Sequence, residues 1–355
     1  MSSPDRKTAC VTGGSGYIAS ALIKLLLEKG YAVNTTVRNP DDVDKTCHLK
    51  DLQTLGPLNI FRADLNEEGS FDEAVAGCVF VFLVAAPMLV HQTHNLEEDM
   101  TEGTVRGTLN VMRSCMKART TVKRVILTSS MTAAAYVPRT LKGDGHVLDE
   151  ESWSNLDYLA TLSLPSAAWA KAYASGKIHS EEAACRFARE NGISLATVLP
   201  VVVVGAAPAA PKGSFNTNAL VLSLLSGEEM AMEMLRQSQE LCNGTTPLVH
   251  VRDVCRAQVF LAEKSESVAA AEPVQTERYM CCATNTTAAR LARFLAGKFP
   301  QYNVKTDGFG DVGEDPRVLV SSEKLLKEGF EYEYKDLDKM FDDAVEYGKA
   351  LGILP

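Results

Sequence analysis

The chain has no CxxC pair, no apolar run approaching the roughly 20 residues of a membrane-spanning helix, and no excess of positive charge. Each absence removes a class of function. Lys and Arg number 36 against 45 Asp and Glu, a net charge of −9, which argues against a nucleic-acid binder or a protein held on an anionic membrane. Nine cysteines are scattered without zinc-site or redox spacing, so all are expected to be reduced thiols in a cytoplasmic protein. Cys281 and Cys282 are adjacent and should point to opposite faces of a strand. The N-terminal stretch MSSPDRKTACVTGG lacks an apolar signal segment, and the C-terminal GILP is no lipidation or retention signal. These too lead to the expectation of a cytoplasmic location with no integral membrane segment.

What is present is a repeating alternation. Short apolar runs at Ala9–Thr12, Ala32–Val37, Leu58–Arg62, Val79–Val84, Arg124–Ser129 and Leu195–Pro200 read as strands. Amphipathic stretches at Tyr17–Lys29, Phe71–Ala76, Asn95–Lys117 and Lys171–Glu190 read as helices between them. Strands this apolar belong in a sheet covered on both faces. The expected fold class is therefore α/β, a doubly wound parallel (Rossmann) sheet of six or seven strands. After Pro200 the periodicity gives way to a Pro/Ala/Gly segment, followed by a helix at Asn218–Leu225, a strand at Leu248–Val251, a helix at Val254–Glu263 and a strand at Arg278–Cys282. The division expected is a dinucleotide-binding domain over 1–204 and, over 205–355, a smaller substrate lobe with some segments returning to the sheet. Segment 263–276, polar and alanine-rich, reads as an exposed loop.

The stretch TGGSGYIA (12–19) sits between the first strand and the first helix, with GxxGxxA spacing. Gly13 permits a tight turn, Gly16 lets main chain approach a pyrophosphate at the helix N-terminus, and Ala19 is small enough to pack helix on strand. Thr12, Ser15, Tyr17 and Ile18 flank these positions and join them as candidate cofactor contacts. An NAD binder carries a carboxylate about 20 residues beyond such a loop. This chain has Arg38 near that place and Lys45 beyond it. A guanidinium there suits a 2′-phosphate, so NADPH/NADP+ is expected over NAD. The competing reading makes Arg38 and Lys45 ordinary solvated charges. Asp64, with Leu65, closes the third strand and can bond an adenine amine. Val84, Ala85 and Ala86 close the fourth and are small enough to admit a ribose.

The fifth strand ends ILTSSM, and some forty residues on comes AYASGK. Tyr173 and Lys177 are spaced i, i+4 and share a helix face. An ammonium beside a phenol favours the phenolate, and the phenol can give a proton to a substrate oxygen as hydride arrives. Lysine can also hold the nicotinamide ribose, and a serine hydroxyl can orient the substrate oxygen.

Taken together, these residues resemble the extended short-chain dehydrogenase/reductase superfamily over nearly the whole chain. Within it the chain is similar to the plant flavonoid reductases, closest to the anthocyanidin reductase branch and related to the dihydroflavonol 4-reductase branch. The similarity is carried by KLLLEKGYAVNTTVRNP, IFRADLNEEGSFDEAVAGC, VKRVILTSS, HVRDVCRA, RYMCCATNT and SSEKLLKEGFEYEY. Ala19 in the glycine loop is like the anthocyanidin reductase branch. The resemblance implies a catalytic triad of Ser130, Tyr173 and Lys177. It also implies 2′-phosphate contacts at Arg38 and Lys45 and further cofactor contacts at Asp64, Leu65, Val84, Ala85, Ala86, Pro200 and Val203. It implies a small-molecule flavonoid as substrate, bound near Met88, Ser130, Ala135 and Tyr173. Ala135 stands where dihydroflavonol reductases carry asparagine or a similar polar residue, and Pro247 where they carry glutamine, which weakens a 4-reductase assignment. Leu83 replaces a strand-four histidine, and Val201 replaces the threonine usual after Pro200. The implied activity is reduction of an anthocyanidin to a flavan-3-ol. The alternative is reduction of a flavanone or dihydroflavonol 4-ketone, and the alternative of another class is a non-catalytic NADP(H)-binding redox sensor.

His91, His94, Glu97 and Glu98 make a conceivable metal cluster, but no third ligand has suitable spacing, and no metal site is expected. His250, ahead of Asp253, is expected to cap or orient the lobe rather than act as a base. Trp153 and Trp169 either wall the substrate site or simply pack.

Overall fold

The structure is a computed structural model, and it describes residues 6–87, 95–138, 145–209, 217–264, 276–306, 309 and 314–355. Met88, His91, His94 and most of the polar segment after 263 lie outside the described residues.

Eleven strands occur among these residues: β1 (Thr8–Thr12), β2 (Ala32–Val37), β3 (Leu58–Arg62), β4 (Phe80–Leu83), β5 (Arg124–Thr128), β6 (His146–Leu148), β7 (Leu195–Pro200), β8 (Val202–Val204), β9 (Leu248–His250), β10 (Thr276–Cys281) and β11 (Val318–Val320). The helices are α1 (Tyr17–Glu28), α2 (Val43–Leu52), α3 (Asp72–Val75), α4 (Leu96–Lys117), α5 (Leu156–Thr161), α6 (Ala167–Asn191), α7 (Thr217–Ser226), α8 (Glu229–Leu241), α9 (Val251–Lys264), α10 (Ala288–Lys298), α11 (Glu323–Lys327) and α12 (Leu337–Ala350).

Seven strands form one parallel sheet in the order β10-β7-β5-β4-β1-β2-β3. The strands at its centre are apolar because both faces are covered: β5 and β7 are buried along their whole length. α1 turns Leu22, Ile23, Leu26 and Leu27 into the core, where each contributes roughly 1.5–3 kcal/mol of transfer free energy. From β1 the chain winds to β2 and β3 on one side. β4 and β5 lie on the other side of β1, so the winding reverses between β1 and β4. In such sheets the crevice at that reversal, beyond the carboxyl ends of the strands, takes the ligand.

The seventh strand, β10, comes from far along the chain, after the lobe has begun, and pairs with β7 from Thr276↔Leu195 to Cys281↔Pro200. Helix α9 also returns, packing on α1 with the Cys255 thiol against Ile18 O (3.7 Å). The expected strand at Leu248–Val251 ends one residue early, because Val251 opens α9. The helix expected over Lys171–Glu190 starts a turn earlier, at Ala167, and stops at Gly192, whose φ of +67° only glycine adopts cheaply. The remaining elements build a lobe around Leu220, Leu222, Leu291, Met340 and Phe341, all buried together. Two three-residue ladders, β8 on β9 and β6 on β11, complete the lobe and its seam with the sheet.

Candidate active site

The glycine loop occupies the crevice at the carboxyl end of β1. Gly13 has φ +76°, and a Cβ there would stand 3.0 Å from the Ala85 Cβ, so the ends of β1 and β4 touch through the smallest side chains available. Thr12 fixes that junction: its Oγ1 accepts from Val84 N and Ala85 N, both at 3.0 Å. Gly14, which sequence spacing did not single out, is as constrained. A Cβ on it would fall 2.3 Å from Thr35 Oγ1 on β2, a hydroxyl already committed to Val11 O (2.9 Å). Gly16 is exposed, and among the described residues the atom nearest a Cβ on it is Gly13 O at 3.2 Å, so this side of the loop is open.

Helix α1 begins at Gly16 without a side-chain cap and without an acidic residue in its first turn. First-turn N–H groups have no intrahelical acceptor and carry the positive end of the helix dipole. An open, glycine-lined, uncapped N-terminus suits a pyrophosphate. Tyr17 contributes only main chain to it. Its hydroxyl donates to Gly205 O (2.6 Å) and its ring stacks on Tyr347 (6.0 Å, 24°), and burial pushes the phenol well above its ordinary value. Ser15 and Ile18 are half-buried beside the loop.

Arg38 is exposed just beyond β2, and no carboxylate among the described residues pairs with it. Lys45, exposed as well, pairs with Asp42 at 3.2 Å. Asp64 and Leu65 close β3. The Asp64 carboxylate accepts from Asn66 N (2.8 Å), and Leu65 O accepts from the Asn110 side chain (2.8 Å). Ala86 is half-buried at the end of β4. Pro200 and Val203 are buried at and just beyond the end of β7.

The other wall is made by β5 and α6. α6 lies close against α4 because Gly176 faces it: a Cβ there would be 3.1 Å from Thr104 Oγ1 and 3.4 Å from Met100 O. An adjoining side of α6 meets the end of β5. Lys177 is buried, and its Nζ donates to Thr128 O (3.2 Å). The same ammonium is 5.7 Å from the centre of the Tyr173 ring. One ammonium donor is thus spent on β5, and the others remain for a ribose. The Tyr173 hydroxyl has no hydrogen-bond partner among the described residues. Trp169 stacks flat on the Tyr173 ring (5.1 Å, 7°), so of the two tryptophans it is the one beside Tyr173 on α6. Trp153 instead lies under the Arg278 guanidinium, 3.8 Å from its ring centre.

The two serines at the end of β5 have different fates. Ser129 is buried and donates to Glu181 Oε2 (3.0 Å). Ser130 is half-buried and accepts from Thr132 N (3.2 Å) at the start of a 3₁₀ turn, which leaves its own proton free to donate. Ser130, Tyr173 and Lys177 are therefore brought to the same sheet edge. Ala135, placed at the substrate by sequence, is only 1% exposed and packs in the main core.

His250 is buried, stacks on Tyr334 (3.7 Å, 10°) and bonds Asp343 Oδ2 through Nε2 (2.7 Å). Asp253 accepts from the main chain of Glu333 and Tyr334. Both serve the lobe. Among the described residues no group of three or more His, Cys, Asp or Glu side chains is placed to hold a metal ion, and no helix is long and apolar enough to cross a membrane. A cleft of about 770 Å³ lies between the start of α4 and the α5–α6 segment, lined by Ser175 and the Lys171–Glu97 pair and by none of the three residues above.

Known proteins resemble this chain over nearly its whole length. The sequence profile of the NAD dependent epimerase/dehydratase family matches residues 9–275. An anthocyanidin reductase ((2S)-flavan-3-ol-forming) of Vitis vinifera is 45% identical over 98% of this chain and 97% of its own length. A dihydroflavonol 4-reductase of Callistephus chinensis is 37% identical over 98% of this chain and 88% of its own. Vestitone reductase from alfalfa (Medicago sativa L.), a crystal structure, superposes with a TM-score of 0.77 at 31% identity, covering 98% of this chain and all of that one.

Proposed function

The chain belongs to the NAD dependent epimerase/dehydratase family, and from that premise we propose that it is an NADPH-dependent flavonoid reductase that converts an anthocyanidin to a flavan-3-ol. The reaction class rests on one observation: Tyr173 and Lys177 share the face of α6 that meets the end of β5, beside a Ser130 whose proton is free. The substrate class rests on the full-length similarity to anthocyanidin reductase. In this reading residues 1–204 hold the cofactor and 205–355 shape the substrate side. A cytoplasmic location goes with it, in keeping with nine cysteines none of which is joined in a disulfide.

The residues fit a phosphorylated nicotinamide dinucleotide. The open side of Gly16 and the uncapped α1 N-terminus suit the pyrophosphate, and Arg38, which no carboxylate among the described residues pairs with, suits a 2′-phosphate through a charge-assisted, bidentate contact. When bound, the cofactor supplies hydride, and because a flavylium cation must gain two hydrides and one proton to become a flavan-3-ol, two NADPH would be consumed in turn. Ser130 donates to the substrate oxygen and orients it. Tyr173 delivers the proton from its hydroxyl, and the Lys177 ammonium stabilises the phenolate that remains. Lys177, anchored on Thr128 O, also holds the ribose hydroxyls with its remaining donors. Trp169 shields one face of the Tyr173 ring from water.

A second reading, reduction of a 4-ketone to the 4-alcohol, is favoured by the similarity to a dihydroflavonol 4-reductase. The test is NADPH oxidation by the purified protein with cyanidin, dihydroquercetin or naringenin, with products identified by mass. A flavan-3-ol from cyanidin is the expected result. Turnover of the ketones alone moves the protein to the 4-reductase class. NADPH binding with no turnover of any of them overturns both and makes the chain a binding protein.

A further inference from the structure

Glu181 is fully buried, and neither a binding nor a catalytic reading of the sequence uses it. It lies one turn beyond Lys177 on α6. One carboxylate oxygen accepts from Ser129 Oγ (3.0 Å), the other from Arg278 Nε (2.6 Å). Arg278 comes from β10, at the far edge of the sheet. It also donates to the carbonyls of Glu150 and Ser152 and lies over the Trp153 ring. Burial pushes the Glu181 carboxyl above its usual range, against the opposing pull of Arg278, Ser129 and Lys177.

Two consecutive residues at the end of β5 thus bond one face of α6, and the third stands next to them. Thr128 O is held by Lys177, Ser129 Oγ by Glu181, and Ser130 is left for the substrate. A buried carboxylate that has lost water is costly unless paired, and replacing such a pair with apolar side chains is often neutral or stabilising. Stability alone does not account for a charge placed there. What the pair does supply is registry. It fixes α6 against β5 at the level of the reacting groups and puts a negative charge beside the Lys177 ammonium.

We propose that Glu181, held by Arg278, is a positioning residue: it sets the placement of Ser130 and Lys177 through Ser129, and balances the positive charge on which Tyr173 works. The proposal rests on the triad reading given above. The charged and titratable groups facing Glu181 are Lys177 and Cys185 on α6 and Arg278 on β10. Those facing Tyr173 are Lys177 on α6 and Tyr136 from the segment after β5.

The test compares Glu181→Gln, Ser129→Ala and the double variant Glu181→Gln/Arg278→Gln with wild type and with Tyr173→Phe, using cyanidin and NADPH over a pH series. Loss of the Ser129–Glu181 contact should lower kcat about tenfold to a hundredfold, with KM values within about twofold. Glu181→Gln removes a negative charge from beside Lys177 and leaves Arg278 unbalanced, so the site gains net positive charge. The basic limb of the pH–rate profile should then move down by roughly half a unit or more. The charge-balanced double variant should stay slow while its limb returns toward wild type. It also carries the test if Glu181→Gln does not fold. Wild-type kcat and an unmoved limb in a folded Glu181 variant, alongside an inactive Tyr173→Phe, overturn the positioning role alone. An active Tyr173→Phe overturns the triad, and the positioning role with it.

Discussion

The two walls of the crevice are built on opposite plans. At the glycine loop the work falls to main chain: Gly13 against Ala85, Gly14 against Thr35, an uncapped helix start, and beside them the exposed cations Arg38 and Lys45. At the β5–α6 wall it falls to side chains, most of them buried and mutually bonded: Lys177, Glu181, Ser129 and, behind them, Arg278. In the function proposed above, the difference follows from what each wall would have to recognise. An anion is held by dipoles and charge, which tolerate exposure and some play. Proton transfer needs donor and acceptor within hydrogen-bond reach, so the groups are fixed by neighbours that cannot move.

Substitutions can separate the walls. Tyr173→Phe should have the largest effect, a loss of kcat on the order of 10²–10⁴-fold, while the Kd for NADPH stays within about threefold. If NADPH affinity fell equally, the walls would not be independent. Arg38→Ala should do the reverse. Losing a charge-assisted contact of about 1.5–3 kcal/mol should cut the preference for NADPH over NADH roughly tenfold to a hundredfold, with kcat at saturating NADPH little changed. An unchanged cofactor preference would remove Arg38 from the 2′-phosphate.

Gly14→Ala should cost about 1–3 kcal/mol, because the added methyl meets Thr35. The Tm should fall by several degrees, and cofactor affinity should weaken as β1 and β2 part. The smallest effect belongs to the lobe. Asp343 is half-buried: burial raises its carboxyl, but the His250 hydrogen bond and Ala206 N more than offset this and hold it below the ordinary range. A lowered native value stabilises the fold above the ordinary carboxylate range and is lost as pH falls through that range to the native value. Asp343→Asn should therefore lower the Tm at neutral pH and approach the wild-type curve in acid. A gap that persists in acid would mean that charge is not the contribution.

The same contrast explains what could be read from residues alone. The glycine loop and the Tyr173–Lys177 pair are local patterns, four to seven residues long, and the alternation of strand and helix is local too. Glu181 is one acidic residue in a run (SEEAACRFARE) that looks like a solvated helix face. Its role comes from Arg278, nearly a hundred residues away. Gly14 does not stand out in the sequence because its constraint is Thr35 on the neighbouring strand; Tyr17 is named there as a cofactor contact, but the partners of its side chain, Gly205 and Tyr347, lie in the lobe and leave no local pattern. Ladders of three residues, such as β6 on β11, carry too short a pattern to stand out. Helix α8 was missed as well, although its amphipathic run is long enough to have been found.

The placement of β10 also bears on how the chain is made. Synthesis delivers six strands of the sheet by Pro200, yet the strand that covers the open edge of β7 is not complete until Cys281, and α9, which lies on α1, ends only at Lys264. A nascent chain halted between these points carries an unpaired edge over Leu195–Pro200, a template for pairing with another copy. Fragments ending near 204 should collect in aggregates, and a ribosome-bound chain should become resistant to protease only after the last quarter of the sequence begins to emerge.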